Sequence, residues 1–127
     1  MAWIVFTQFA NAGEILNAIA QSTDLKVQVL QDGRKIVAAK NGLTLYTFDN
    51  DTAGFSTCFD GCAKVWPAIE TTQDQLPVPF KITLRPGGKK QISLENQPLY
   101  FFASDKLPGE IKGDNLGGVW HIIVIDE

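Results

Sequence analysis

The order of apolar and polar residues along the chain predicts one short helix and then a series of β-strands. Between residues 13 and 22 the apolar side chains stand at positions 15, 16, 19 and 20, which is the spacing of one helical face. Glu14 suits the N-terminus of such a helix. From Leu25 the pattern changes, because Leu25, Val27 and Val29 alternate with polar residues as in a half-buried strand.

Tight-turn dipeptides divide the residues after this strand into an antiparallel meander. Asp-Gly at 32–33 and Asn-Gly at 41–42 are both sequences that close β-hairpins. Residues 36–40 and 43–48 are therefore expected to return as the second and third strands. Residues 49–63 are rich in Asp, Gly, Ser and Thr, so they predict a long loop without a regular element.

The second half of the chain repeats this plan. A polar connection with prolines at 70–79 leads into it. Strands are expected at residues 80–84, 91–94 and 98–102, followed by a glycine-rich loop. Residues 119–125 are apolar without alternation, which predicts a central strand that is covered on both faces.

An internal repeat is the most specific feature of the sequence. Residues 45–51 and 99–105 both fit Leu-Tyr-x-Phe-x-x-Asp at an offset of 54 residues. Val-Trp at 65–66 returns at 119–120 with the same offset. Repetition on this scale is read before any other feature, because it decides the architecture.

The repeat leads to a prediction of the fold and its domains. Two units of about fifty residues are each marginal alone, so they should share one core. We predict a mostly β fold of two repeated antiparallel β units, with a short N-terminal helix. The expected ranges are an N-terminal apolar segment and helix at 1–24 and a single β domain at 25–127, built from repeats at 25–70 and 78–127.

Each motif copy places two aromatic rings on one face of its strand, because alternate strand residues share a face. Leu45 and its counterpart in the second copy then face the opposite side. The tryptophan of each unit should pack on the rings, and the two aspartates are plausible acceptors for buried tyrosine hydroxyls, within or across units. The predicted aromatic core consists of Tyr46, Phe48, Asp51, Trp66, Tyr100, Phe102, Asp105 and Trp120. An aromatic-lined groove between the copies is the functional alternative.

The charge of the chain excludes one class of function. The net charge is −3 and the isoelectric point is near 5.1, which argues against a protein that binds nucleic acid or an anionic membrane. The nearest basic cluster, Arg85 with Lys89 and Lys90, is interpreted as a solvated turn. The sequence has no run of about 18 apolar residues, as a membrane-spanning helix would need.

The N-terminus carries a short apolar segment at residues 3–9. It is followed by Ala-Asn-Ala at 10–12, which resembles a signal cleavage site, but neither Lys nor Arg precedes it. A signal remnant, an edge strand and a segment that packs on another chain are all compatible with this pattern. We prefer packing, through which the protein would self-associate or bind a protein partner.

The ordered series of residues resembles a family of small bacterial lipoproteins and secreted proteins. That family is named for a Tyr-x-(Phe/Trp/Tyr)-x-x-Asp motif and is also called the secreted repeat of unknown function. The similarity covers roughly residues 33–125. It rests on GLTLYTFDND at 42–51, on Ser56, Cys58, Cys62, Ala63, Trp66 and Pro67, on QPLYFFASD at 97–105, on Pro108-Gly109, and on GGVWHII at 117–123.

The resemblance implies a small β-rich domain outside the bacterial cytoplasm, whether secreted, periplasmic or on the cell surface. It implies no reaction. Neither cysteine lies near the N-terminus, so a lipidation site is not evident. We expect a non-enzymatic structural or interaction module of the cell envelope or an extracellular assembly, without a cofactor. The alternative is a redox or copper-binding accessory protein.

The cysteines Cys58 and Cys62 have three interpretations. A disulfide that closes the loop before Trp66 is preferred. Two thiolates together with His121 would instead suit Cu(I), a soft ion that binds sulfur and imidazole. A redox-active dithiol is the third interpretation, although the spacing is not Cys-x-x-Cys.

Other catalytic and metal-binding patterns are weaker. Asp49, Asp51, Gly54 and Asp60 have the relative spacing of a calcium loop, but Ala53 stands at a ligand position and Glu is missing from the last. The single histidine has no serine motif around it, which argues against a hydrolase. We therefore expect no enzymatic activity.

Overall fold

The computed structural model of the protein describes residues 10–126. The fold is mostly β, with two repeated units and a short N-terminal helix. In chain order the elements are α1 Ala12–Gln21, β1 Leu25–Val29, β2 Lys35–Ala39, β3 Tyr46–Phe48, α2 Gly61–Val65, β4 Phe80–Leu84, β5 Lys90–Leu94, β6 Gln97–Pro98, a 3₁₀ turn at Leu116–Gly118, and β7 Trp120–Ile122.

Helix α1 begins at a capping box, as its sequence favours. The Asn11 side chain accepts from the Glu14 backbone N–H, and the Glu14 carboxylate accepts from the Asn11 N–H. Its buried face consists of Ile15, Ala18 and Ile19. The helix predicted at 13–22 is therefore confirmed, one residue earlier than expected.

The first unit opens with a hairpin in which β1 and β2 pair antiparallel, Leu25 opposite Ala39. The predicted third strand of the meander is only partly correct. It touches β2 through the Leu45 N–H and the Val37 carbonyl, and then β3 leaves to pair with β7. The chain crosses here because Leu45 belongs to one core and Tyr46 to another.

The second unit forms a three-stranded sheet in the order β4, β5, β6. The strand expected at 98–102 is wrong, because regular pairing ends at Pro98. Tyr100 instead makes single bridges to Ala68 and to Tyr46. The bridge between Tyr46 and Tyr100 is central, because the backbone N–H of each tyrosine donates to the carbonyl of the other, at 2.8 and 3.0 Å.

Two further predictions are corrected by the backbone. Residues 119–125 are not covered on both faces: β7 is three residues long, and side chains 121–124 remain half-buried. The following residues turn to β2, where the Val37 N–H donates to the Ile123 carbonyl. The loop expected at 49–63 also runs into helix α2, whose first turn is closed by the Lys64 N–H on the Asp60 carbonyl.

Both units contribute to one apolar core under α1. Leu45 and Leu99, which occupy equivalent motif positions, are fully buried in it, together with Ile15 of the helix. The motif rings lie on the opposite side in a second, aromatic cluster. This division follows the alternation of side chains along a strand. Among residues 10–126 no helix is long and apolar enough to cross a membrane.

We predict that the shared core is sensitive at Leu99. Leu99→Ala should lower the free energy of unfolding by about 2–5 kcal/mol, because it opens a cavity at a fully buried site. Leu84→Ala is the matched control, since Leu84 is 68% exposed, and should change it by less than about 0.5 kcal/mol. Denaturant titration measures both, and equal effects of the two substitutions would contradict the shared interior.

Candidate functional site

Four aromatic rings form a continuous stack between the two units. Its order is Phe48, Trp120, Trp66, Phe102, with ring centroids 4.0, 3.7 and 4.4 Å apart. The two indoles at its centre are parallel within 1° and are buried. The phenylalanines at its ends are half-buried. The stack alternates between the units, because each tryptophan lies on the phenylalanine of the other motif.

The two tyrosines contact this stack edge-on. Tyr46 meets Trp66 with centroids 5.2 Å apart at 81°, and Tyr100 meets Trp120 at 5.2 Å and 87°. Edge-to-face geometry places the positive ring edge against the negative face of the neighbour, which is a favourable arrangement. Each tyrosine therefore packs on the tryptophan of its own unit. The near-identical geometry of the two pairs follows the repeat.

Each tyrosine hydroxyl donates a hydrogen bond to the aspartate of the other unit. Tyr46 donates to Asp105 Oδ2 and Tyr100 donates to Asp51 Oδ2, both at 2.6 Å. The sequence left open whether these bonds would form within or across units, and the structure forms both across. The structure thus brings together all eight residues of the predicted aromatic core, as one buried to half-buried cluster that includes the two acceptors.

The two aspartates are also held by their own loops. Asp105 Oδ1 accepts the Lys112 backbone N–H at 3.0 Å, and Asp51 Oδ1 accepts from the Thr57 backbone N–H and hydroxyl at 2.8 and 2.9 Å. Each carboxylate thus closes the loop that follows its motif and receives the tyrosine of the other unit. A loop and an inter-unit contact are fixed by the same side chain.

The surroundings of the two tyrosine hydroxyls differ. The Tyr46 hydroxyl accepts the Gly113 backbone N–H at 3.2 Å, in a fully enclosed position. The Tyr100 hydroxyl lies 2.6 Å from Ser56 Oγ, which also accepts from the Arg85 guanidinium at 3.0 Å. One end of the site is closed by backbone, and the other by a polar network that leads toward the surface.

Burial sets the ionisation of these groups. It raises the pKa of both Tyr46 and Tyr100 far above that of a free tyrosine, and the neighbouring carboxylates raise each pKa further. Burial also raises the pKa of Asp105, although the bond from Tyr46 acts in the opposite direction. Both hydroxyls are therefore protonated donors throughout the physiological pH range.

The cysteines form the preferred disulfide. Cys58 and Cys62 are joined with Cα atoms 5.2 Å apart, and Cys58 is fully buried in the aromatic cluster. Helix α2 carries Cys62 and then delivers Trp66 to the stack. The disulfide thus fixes the approach of one central indole.

Among residues 10–126, the residues named for a copper site or a calcium site do not come together as a set of metal ligands. His121 Nε2 lies 2.8 Å from Asp49 Oδ2 at the surface, and the cysteine sulfurs are bonded to each other. Asp51 of the calcium pattern is occupied by Thr57 and Tyr100. Within residues 10–126 no group of three or more His, Cys, Asp and Glu side chains is placed to hold a metal ion. Copper binding stays a hypothesis that requires the reduced protein.

Sequence reasoning missed two contributors to the site. Arg85 closes the turn before β5 through its backbone, but its side chain is not solvated as expected. The side chain donates to Cys58 O and Gln91 Oε1 and lies 4.9 Å above the Phe59 ring. Gly113 was recognised only as a flexible loop residue, yet a Cβ there would lie 2.5 Å from Trp66 Cη2. The isolated Gly113 gave no signal of this approach.

Comparison with known families gives one match. The family model described as a secreted repeat of unknown function matches residues 26–70 and 81–124, which are the two units. No curated protein and no solved structure matches the chain.

We predict that neither tyrosine titrates near pH 10 in the folded protein. The chain has two tyrosines, both in this site, so tyrosinate absorbance near 295 nm reports on them alone. Because unfolded tyrosines lose their protons at about pH 10, unfolding releases protons above that pH and the free energy of unfolding falls, by about 1.4 kcal/mol per pH unit for each tyrosine. Tyr100→Phe should halve the slope, and native titration near pH 10 would contradict the burial.

We predict that Gly113→Ala destabilises the site. The added methyl group would collide with Trp66 and approach Phe102 at 3.0 Å, which should cost about 1–3 kcal/mol. Gly61→Ala is the control, since nothing lies within 4 Å of its Cβ, and it should be neutral or stabilising by up to about 1 kcal/mol. Thermal unfolding of both variants measures the difference, and an unaffected Gly113→Ala protein would show that the indole can move aside.

Proposed function

The chain belongs to the family of secreted repeats of unknown function, and on that premise we propose a non-enzymatic, extracytoplasmic role. The protein would serve as a structural or interaction module of the bacterial cell envelope or of an extracellular assembly. A disulfide pair fits an oxidising compartment outside the cytoplasm. No cofactor is part of this proposal.

The closure of the aromatic site carries the proposal. Both tyrosine hydroxyls are donated to internal carboxylates, and among the described residues no buried side-chain nitrogen or oxygen lacks a partner. Active sites need a reactive group that is left free to meet a substrate. The repeated tyrosines and aspartates instead bond with each other and join the two units, which supports a structural role.

The solitary histidine adds support. His121 bonds with Asp49 at the surface, and this pair has no hydrogen bond to a serine, threonine or cysteine among the described residues. A nucleophile activated by a histidine requires such a bond.

Association would occur through the apolar N-terminal segment, residues 3–9. This segment lies outside the described residues, so the proposal rests on its sequence. Trp3, Ile4, Val5, Phe6 and Phe9 are apolar, and residues 1–9 carry no charged side chain. Such segments bind in apolar grooves or along sheet edges of partners. We propose that the protein self-associates in this way.

Self-association is testable with charged substitutions inside this segment. The wild-type protein should form oligomers with rising concentration in analytical ultracentrifugation. Ile4→Asp/Phe6→Asp should weaken association at least tenfold, because burying each of these side chains contributes about 1.5–3 kcal/mol. The control Thr7→Asp/Gln8→Asp adds the same charge at polar positions and should weaken association less. A wild-type protein that stays monomeric up to about 1 mM, where the free energy of association is only about 4 kcal/mol, would remove the proposal.

A further inference from the structure

An apolar groove lies beside the start of the described chain. Its volume is about 510 Å³, which is within the range of sites that bind ligands or short segments. The N-terminal end of α1 forms one wall, with Ala12 and Ile15, and the end of β7 with the residues after it forms the other, with Ile122, Ile123 and Val124. These last three side chains are half-buried, so the groove presents them to solvent.

The lining of this groove also includes polar and charged side chains. Its polar members are Asp49 and His121, which bond with each other, together with Asp126, Asn11, Thr47 and Gln97. The remaining surface between the walls is mainly apolar. The apolar part of the lining therefore favours an apolar segment, and the carboxylates of Asp49 and Asp126 disfavour an acidic one.

The chain itself supplies a segment of that chemistry at the rim of the groove. Ala10 lines the groove, and the nine residues before it include five large apolar side chains and no charged one. Nine residues reach about 30 Å when extended. The segment therefore starts where the groove is and is long enough to leave it for a neighbouring molecule.

Local geometry opposes return of the segment into the groove of its own chain. The Ala10 N–H is held by Glu95 Oε1 at 2.8 Å, and Asn11 is extended and engaged in the capping box. These two residues are therefore not free to form a reverse turn. A turn takes four residues, so it would use about half of the nine. A segment from a second copy meets no such cost.

We propose that this groove accepts residues 3–9 of a second copy of the chain, an inference that rests on the self-association proposed above. Because Ala10, to which the segment connects, lies at the groove of its own chain, two copies facing each other can exchange segments reciprocally. That arrangement is isologous and closes as a dimer.

Crosslinking between two different full-length variants tests the exchange. One variant carries Ile4→Cys, the other carries Val124→Cys and a tag that changes its mass, and a short bismaleimide joins thiols that lie close together. The mixture should give a crosslinked heterodimer. Replacing the second variant by Val29→Cys is the matched control, since Val29 is 56% exposed and does not line the groove. It should give at least tenfold less heterodimer.

Two outcomes would overturn the inference. If the wild-type protein self-associates but the heterodimer does not exceed the Val29→Cys control, the groove is not the acceptor and the proposed function stands. If a chain with both Ile4→Cys and Val124→Cys crosslinks internally and remains monomeric, the segment occupies its own groove. Failure of the proposed function is seen separately, as a wild-type protein that never associates.

Discussion

The reciprocal pair of hydrogen bonds from the tyrosine of each unit to the aspartate of the other is the interaction on which the structure depends. Tyr46 donates to Asp105 and Tyr100 donates to Asp51, so neither unit satisfies the buried tyrosine hydroxyl of its own motif. A hydrogen bond to a charged group contributes about 1.5–3 kcal/mol, and leaving one partner buried alone costs a comparable amount. The aromatic stack also joins the two units, because each tryptophan packs on the phenylalanine of the other motif. Each unit is therefore incomplete without the other.

The sequence allowed the repeat, the shared core and the members of the aromatic cluster to be predicted, because spacing and strand alternation are local properties. Which aspartate each tyrosine reaches was not predictable, since Asp51 and Asp105 are equivalent in sequence and differ only in three dimensions. The prediction of a doubly covered strand at residues 119–125 was wrong for a related reason. Their apolar pattern indicated full burial, whereas some of these side chains line a groove. Arg85 was misjudged because its acceptors come from distant loops.

The motif aspartate closes the loop in both units, but the further contacts that hold the two loops are of different chemistry. The first loop is tied by the disulfide, while Lys112 and Leu116 stand 54 residues after Cys58 and Cys62. In the second loop Glu110 accepts the backbone N–H groups of Lys106 and Leu107. The residues that join the units are thus similar in the two copies, and the additional residues that hold each loop differ.

The paired backbones of Tyr46 and Tyr100 lie on a local two-fold axis, since each donates to the carbonyl of the other. This is the contact that two identical half-length chains would make on meeting face to face. Joining the halves in one polypeptide gives each an effective concentration in the millimolar range for the other. The molecule has the form of a symmetric pair joined in one polypeptide, so the pairing of its two halves does not depend on the protein concentration.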